Sequence, residues 1–289
     1  MMSIEQAEAR FSRDPFAKFL GMNLVDIAHG RAVVALPYQP QHANAVGPLN
    51  GGASASLLNV AGKVAAWTGI DLDREPYLAC VDMSIQYLSA AIEEDVIAEA
   101  NVLRRGRDLF FLDVALHSPD GRPICQGLLS YRSPDYTGHT PRLLSRPAPH
   151  PEIPHSGTQD DAWLMQGYVE KLAMTCQHYS PGRIQIHMPG IEALMDARGQ
   201  LHDGALASVI DIGGTAAAWS LVPDRKGARG STIGLQISYT LAAAEAVVAD
   251  AHVQQRSEEM FFSTVYATTV TTGQLVAVGL VSYRLVEPR

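Results

Sequence analysis

Residues 49–67 read LNGGASASLLNVAGKVAAW, and residues 201–219 read LHDGALASVIDIGGTAAAW. Nine of these 19 aligned positions are identical, including the tryptophan that ends each stretch. The same offset of 152 residues aligns Tyr87 with Tyr239, and GLLSYR at 127–132 with GLVSYR at 279–284. The match extends over roughly 16–132 and 168–284, with one single-residue slip near Asn101. An internal repeat of this length indicates two copies of one structural unit.

Each copy contains the same predicted order of helices and strands. A short helix comes first, at Pro15–Leu20 or within Asp160–Met174, where Asp160 or Asp161 is a candidate N-cap. A strand, a loop and a long helix rich in Ala, Gly and Ser follow, and four strand-like runs complete the unit in the first copy. This order predicts an α+β fold. The predicted segments are strands at 31–36 and 183–188, helices at 52–68 and 204–221, and strands at 81–87, 96–104, 109–117 and 123–132.

The stretch between the copies is rich in proline. Ser133–Gly157 contains six prolines among Ser, Thr, Gly and His, which is typical of an extended connector. We therefore predict domains at 1–135 and 160–289, joined by a linker at 136–159.

Composition excludes several classes of protein. The net charge of −8 disfavours nucleic-acid binding, which requires a basic face. Three cysteines cannot form a complete disulfide framework and include no CxxC pair. We find no secretory signal in the first 14 residues and no purely apolar stretch of membrane-spanning length. These features predict a cytoplasmic, soluble protein without a membrane partner.

The long helix of the second copy carries one carboxylate among apolar residues. Gly204, Ser208, Asp211 and Thr215 are spaced to share one helix face. A carboxylate there either meets solvent on an amphipathic surface or has a chemical role, and periodicity leaves both open. The Gly51-Gly52 pair at the start of the other helix offers backbone amides to an anion or a developing oxyanion.

These residues resemble a known family. The run 202–204 (His-Asp-Gly), with Asp211 nine residues after the histidine, is similar to the His-Gly-Gly…Asp signature of hotdog thioesterases, closest to the PaaI-like and 4-hydroxybenzoyl-CoA thioesterase group. Asn44, six residues before Asn50, and Thr215, four after Asp211, match further family positions. The resemblance implies two hotdog domains in tandem, each an antiparallel sheet wrapped around a central helix, that form a pseudo-dimer within the chain.

Neither copy carries the complete signature. The first has Asn50 and Asn59 at the histidine and acid positions, and the second has Asp203 at a glycine position. Family sites are shared between paired units, which implies two unequal sites in this chain. One site would combine Asn44, Asn50, Gly51 and Gly52 with Asp211 and Thr215, and the other Asp196, His202 and Asp203 with Asn59 and Lys63. We expect one working site per chain and one that is decayed or repurposed.

The implied activity is hydrolysis of a small or medium acyl-CoA. The Gly51 amide, aided by Asn50, would polarise the thioester carbonyl, while Asp211, oriented by Thr215, would act as nucleophile or general base. His202 is a further catalytic candidate, with a structural hydrogen bond as its alternative role. Two other functions stay open, a hotdog hydratase or dehydratase and a non-catalytic acyl-CoA-binding protein.

One basic cluster is a candidate for binding coenzyme A. Arg104, Arg105 and Arg107 lie in a predicted turn between strands and could reach the CoA phosphates, although a solvated hairpin is the simpler explanation. We expect no metal and no cofactor, since coenzyme A is part of the substrate. The family resemblance also implies a homo-oligomer of tandem chains.

Overall fold

The computed structural model describes residues 3–70, 77–133, 164–222 and 225–287. The first half begins with two short helices and continues with two strands, a long helix and four strands. The second half repeats the pattern after one short helix. In the first half the elements are α1 Ile4–Phe11, α2 Pro15–Leu20, β1 Asn23–Ala28, β2 Arg31–Leu36, α3 Gly51–Trp67, β3 Ala79–Tyr87, β4 Val96–Arg105, β5 Leu109–His117 and β6 Pro123–Arg132. In the second half they are α4 Tyr168–Lys171, β7 Thr175–Ser180, β8 Arg183–Met188, α5 Asp203–Trp219, β9 Arg229–Tyr239, β10 Val247–Ser257, β11 Met260–Thr269 and β12 Leu275–Val286.

The strands of the described residues form one 12-stranded antiparallel sheet. Its order is β1-β2-β4-β5-β6-β3-β9-β12-β11-β10-β8-β7, so the two halves mirror each other about the central β3–β9 pair. At that seam Met83 pairs with Ile237 and Ile85 with Leu235, and all four side chains are buried. Burial of apolar side chains on both sides of the seam stabilises the two halves as one body. The predicted α+β tandem hotdog fold is confirmed.

The two long helices pack against each other at their N-terminal halves because the contact residues are small. A Cβ on Gly52 would lie 2.8 Å from the Cα of Ser208, so only glycine permits this approach. The hydroxyl oxygens of Ser56 and Ser208 are 2.9 Å apart, and both are completely buried. The alternative of a solvated face on α5 is therefore wrong, since Asp211 is only 2% exposed. An isolated carboxylate in this position has to be explained by its contacts.

Several boundaries differ from those predicted. Within the described residues 164–174, the helix expected over Asp160–Met174 is limited to α4, because Gly167 before it and Ala173 after it adopt positive φ values of 59° and 53°. Asp160, Asp161 and the linker lie outside the described residues, so the domain boundaries stay a prediction. Both long helices begin one residue earlier than predicted, and the edge strands β1 and β7 were not predicted.

No helix among the described residues is long and apolar enough to cross a membrane. The cytoplasmic location and the association of chains into a homo-oligomer stay predictions.

Candidate active site

A cleft of about 430 Å³ lies between the two halves. The first half contributes the loop that leads into α3 and the segment that follows β3. The second half contributes one face of α5 and the beginning of β9. Gly51 and Asp211 meet in the cleft, because the first turn of α3 packs on the middle of α5.

The start of α3 presents backbone amides to the cleft. The side-chain oxygen of Asn50 caps the helix by accepting a hydrogen bond of 2.8 Å from the Gly52 N–H. The Gly51 N–H makes no hydrogen bond to any residue that the structure describes. Tyr87 fixes this turn by donating a 2.9 Å hydrogen bond to the Gly51 carbonyl. A free amide at the positive end of a helix favours an oxyanion.

Asp211 lies directly against this helix start. A Cβ on residue 51 would lie 2.6 Å from Asp211 Oδ2, so a larger residue there would displace the carboxylate. The Thr232 hydroxyl donates a 2.9 Å hydrogen bond to Asp211 Oδ1. Burial raises the pKa of Asp211 to about 6, against the opposing effect of the Thr232 hydroxyl and the Gly52 N–H. The carboxylate is therefore ionised near neutral pH and is still a useful base.

The structure brings Asn44 and Thr215 to the same cleft, although the Asn44 amide and the Thr215 hydroxyl each hydrogen-bond to a nearby backbone group. Asn44 Oδ1 accepts a 2.9 Å hydrogen bond from the Val46 N–H, and the Thr215 hydroxyl donates to the Ile212 carbonyl at 3.1 Å. Thr215 therefore does not orient Asp211, contrary to expectation. Thr232 makes that contact, and the repeat gave only a weak signal for it because Cys80 occupies the equivalent position of the first copy.

His202 does not reach Asp211. It caps α5, where its Nδ1 accepts a 3.0 Å hydrogen bond from the Gly204 N–H, and its ring stacks on Phe16 with centroids 4.8 Å apart. Burial, together with the nearby Lys63 ammonium, holds the pKa of His202 well below its usual range. The neutral, fully enclosed ring fits the structural alternative, and the catalytic role expected for it has no support in this geometry.

The second half-site is filled by side chains of the protein itself. Lys63 Nζ lies 2.9 Å from Asp203 Oδ2 in a nearly buried ion pair, at the positions that Thr215 and Gly51 occupy in the cleft. The Asn59 amide, at the position of Asp211, has no hydrogen-bond partner among the described residues. Within the described part of the chain, no three His, Cys, Asp or Glu side chains are placed to hold a metal ion.

Helix α1 covers this second half-site. Its Arg10 lies over the ring of Trp67 at 5.0 Å from the centroid, and its Ala7 and Phe11 are buried in the main core. Trp67 is the counterpart of Trp219, which lines the open cleft. Arg10 of α1 thus contacts Trp67, whereas Trp219 lines the cleft, and both tryptophans are 4% exposed.

The predicted arginine cluster lies far from the cleft. Arg105 stacks on Phe110 and approaches Gly69, just after the C-terminal end of α3. Gly51 is at the other end of this 17-residue helix, about 25 Å away at 1.5 Å per residue. The structure thus places this cluster at the opposite end of α3 from Gly51, and the contact of Arg104, Arg105 and Arg107 with CoA stays a prediction. Among the described residues that line the cleft, the cation is Arg284, beside Ser231 in the strand register.

The fold and the shared cleft define a tandem hotdog protein, and comparisons with known proteins give the family. The model of the thioesterase superfamily matches residues 47–125. Human acyl-coenzyme A thioesterase 13 is 34% identical over 115 residues, which cover 39% of this chain and 80% of that protein. The mouse protein of the same name is 32% identical over 108 residues, covering 37% and 75%. The chain belongs to the thioesterase superfamily, and it is a thioester hydrolase.

Solved structures share the tandem fold along almost the whole chain. The tesB protein of Mycobacterium avium subsp. paratuberculosis superposes with a TM-score of 0.62 at 14% identity, covering 99% of this chain and 100% of that one. Acyl-CoA thioesterase II of Mycobacterium marinum gives a TM-score of 0.58 at 13% identity, with coverage of 94% and 97%. At such identities the likeness supports the fold alone.

Proposed function

We propose that this protein hydrolyses acyl-CoA thioesters at a single cleft per chain. The observation that carries the proposal is the contact between the Asp211 carboxylate of the second half and the Gly51 helix start of the first. The cleft thus places a base next to an amide N–H that has no hydrogen-bond partner among the described residues. Attack on a thioester carbonyl requires these two groups, a base and an oxyanion donor. The acyl-CoA substrate of the named relatives is consistent with this chemistry.

In the proposed mechanism the thioester oxygen accepts a hydrogen bond from the Gly51 N–H, and the α3 dipole stabilises the charge that develops on it. Asp211 removes a proton from a water molecule, whose oxygen attacks the carbonyl carbon. The tetrahedral intermediate collapses by breaking the C–S bond. The CoA thiolate then takes the proton from Asp211, so the products are a carboxylic acid and free CoA. Thr232 holds the carboxylate in place throughout.

The coenzyme A part of the bound substrate would extend out of the cleft toward the start of β9. Arg284 lines the cleft there, and Arg229 lies on the neighbouring strand two residues from Ser231, the register partner of Arg284. Arg284 also pairs at the surface with Glu259, at 2.7 Å. Exposed pairs of this kind contribute little, so a phosphate can compete for the guanidinium.

The first test compares acyl-CoA hydrolysis, followed by release of free thiol, in the wild type, Asp211→Asn and Asn59→Ala. Loss of the base should lower kcat by about 10²- to 10⁴-fold. Asn59 is the matched control, because it occupies the equivalent helix position and the proposed chemistry does not use it. Folded Asp211→Asn protein that hydrolyses acyl-CoA at the wild-type rate would refute the proposed mechanism.

A second measurement tests whether Asp211 forms a covalent intermediate. We assign Asp211 as a base because a raised pKa suits proton transfer. A single turnover in heavy-oxygen water would then leave no label in the Asp211 side chain. Label found in the carboxylate of Asp211 by peptide mass spectrometry would instead establish a covalent anhydride and overturn this assignment.

A further inference from the structure

One tyrosine of the cleft has a hydroxyl proton that the described part of the protein does not use. Tyr283 lines the cleft and is 6% exposed, and its oxygen accepts a 2.8 Å hydrogen bond from the Trp219 indole N–H. Among the described residues, none accepts a hydrogen bond from the Tyr283 hydroxyl. A phenol is a donor as well as an acceptor, and buried donors normally have a partner. This donor is therefore available to a molecule bound in the cleft.

The equivalent tyrosine of the first half does use its proton. Tyr131 is completely buried and donates a 2.6 Å hydrogen bond to the backbone carbonyl of Asn59. Tyr283 points elsewhere, toward the start of β9, where a Cβ on Gly230 would collide with its hydroxyl oxygen. The first copy has Leu78 in place of Gly230, so the glycine that makes room for this orientation belongs to the second copy alone. The two copies thus differ at the tyrosine that faces the cleft.

Tyr283 lies beyond the proposed base, on the side toward which the coenzyme A part of the substrate would extend. It is the register partner of Thr232, which holds Asp211. Its hydroxyl reaches Gly230, which is two residues and roughly 7 Å nearer the start of β9 than Thr232. In an acyl-CoA, five bonds separate the thioester carbon from the first amide carbon of the pantetheine arm, a span of roughly 6 Å when extended. The position of the hydroxyl matches that amide and not the thioester carbonyl.

From this arrangement we infer that Tyr283 is a substrate-binding residue whose hydroxyl donates a hydrogen bond to the pantetheine amide carbonyl nearest the thioester. Trp219 occupies one lone pair of the phenol oxygen and thereby fixes the direction of the ring. Burial raises the pKa of Tyr283 above its ordinary value, against the opposing effect of the Trp219 N–H, so the donor keeps its proton at neutral pH. The inference rests on the proposed function and assigns one contact of its substrate.

This contact is the same for every acyl group, because every acyl-CoA carries the amide. It would hold the thioester in place against Asp211 and Gly51 before and during the reaction. An interaction made equally in the ground state and the transition state lowers KM and leaves kcat unchanged. Loss of the Tyr283 hydroxyl should therefore raise KM for butanoyl-CoA with little change in kcat.

The test compares two small thioesters that differ in this amide. One is the butanoyl thioester of N-acetylcysteamine, which keeps the amide, and the other is S-pentyl butanethioate, in which carbon atoms replace it. Each is measured as a competitive inhibitor of butanoyl-CoA hydrolysis, which requires no turnover of the small ester. In Tyr283→Phe the inhibition constant of the amide ester should rise about five- to tenfold, and that of the pentyl ester should stay unchanged.

Tyr131→Phe is the matched control, since it removes the same hydroxyl at the equivalent position of the repeat, and of the two tyrosines only Tyr283 lines the cleft. It should change neither inhibition constant. Trp219→Phe removes the N–H that orients the phenol and should weaken the amide ester relative to the pentyl ester by a smaller factor than Tyr283→Phe. Inhibition constants do not depend on the amount of folded enzyme, so partial unfolding of a variant does not affect the comparison.

The outcomes separate the inference from the proposed function. Equal weakening of both esters in Tyr283→Phe would show that the hydroxyl acts at the thioester or through packing, and unchanged constants for both would show that the substrate does not use the donor. Either result would overturn the inference while the wild type still hydrolyses butanoyl-CoA. Folded wild type that hydrolyses no acyl-CoA would instead overturn the proposed function itself.

Discussion

Replacing Asp211 by asparagine should stabilise the protein at alkaline pH while it removes activity. The carboxylate is only 2% exposed, and burial raises its pKa from 3.8 to about 6. A shift of about two pKa units corresponds to about 3 kcal/mol by which the folded state disfavours the ionised form. Asparagine keeps the shape and can still accept from Thr232, but it carries no charge to desolvate.

The direction of this change in stability follows from its pH dependence. Between the unfolded pKa near 4 and the folded pKa near 6, the native state binds a proton that the unfolded state has released. The free energy of unfolding of the wild type therefore falls as pH rises through this window. The Asp211→Asn variant lacks this pH dependence. Its free energy of unfolding relative to wild type should therefore rise by about 2 kcal/mol between about pH 4.5 and about pH 8.

Urea denaturation of both proteins at the two pH values measures the difference directly. Using the change between two pH values removes any constant effect of the amide on packing. A stability difference that stays constant with pH would refute the assignment of a raised pKa to Asp211. If the free energy of unfolding of Asp211→Asn relative to wild type falls as pH rises, the carboxylate is instead stabilised in the fold.

Three further predictions follow from the contacts of the two half-sites. The kcat/KM profile of the wild type should rise with pH through an apparent pKa of about 6, because Asp211 must lose its proton to act, and a flat acid limb would contradict this. Thr232→Val should move that limb to higher pH by removing a donor to the carboxylate, whereas Thr215→Val should leave it in place. Lys63→Met should leave Asp203 unpaired and lower the free energy of unfolding by about 3 kcal/mol, measured in urea, with kcat/KM little changed.

Most of the fold could be predicted from the sequence because its signals are local. Both long helices are runs of small residues, and the strands that follow alternate between buried and exposed positions. The edge strand β1 was missed because its pattern does not alternate, with Val25 59% exposed. The helix before β7 was overestimated, since sequence spacing did not reveal the positive φ of Gly167.

The candidate site was less accessible to sequence reasoning. The meeting of Asp211 with Gly51 was expected from the family resemblance, because local patterns do not connect residues 160 positions apart. Thr232 escaped notice because its contact with Asp211 depends on the register of β9 against β12. The place of the arginines at 104–107 relative to the cleft could not be predicted for a similar reason, since only the fold shows at which end of α3 their turn lies.

The buried pair of Lys63 and Asp203 illustrates what gene fusion permits. In a symmetric homodimer every substitution appears twice, so a carboxylate at the position of Gly51 would enter both sites and displace both bases. Two halves on one chain are inherited as separate stretches of coding sequence and accumulate mutations independently. Selection on activity could therefore act on one cleft alone, while the equivalent position acquired an ion pair that joins α3 to α5.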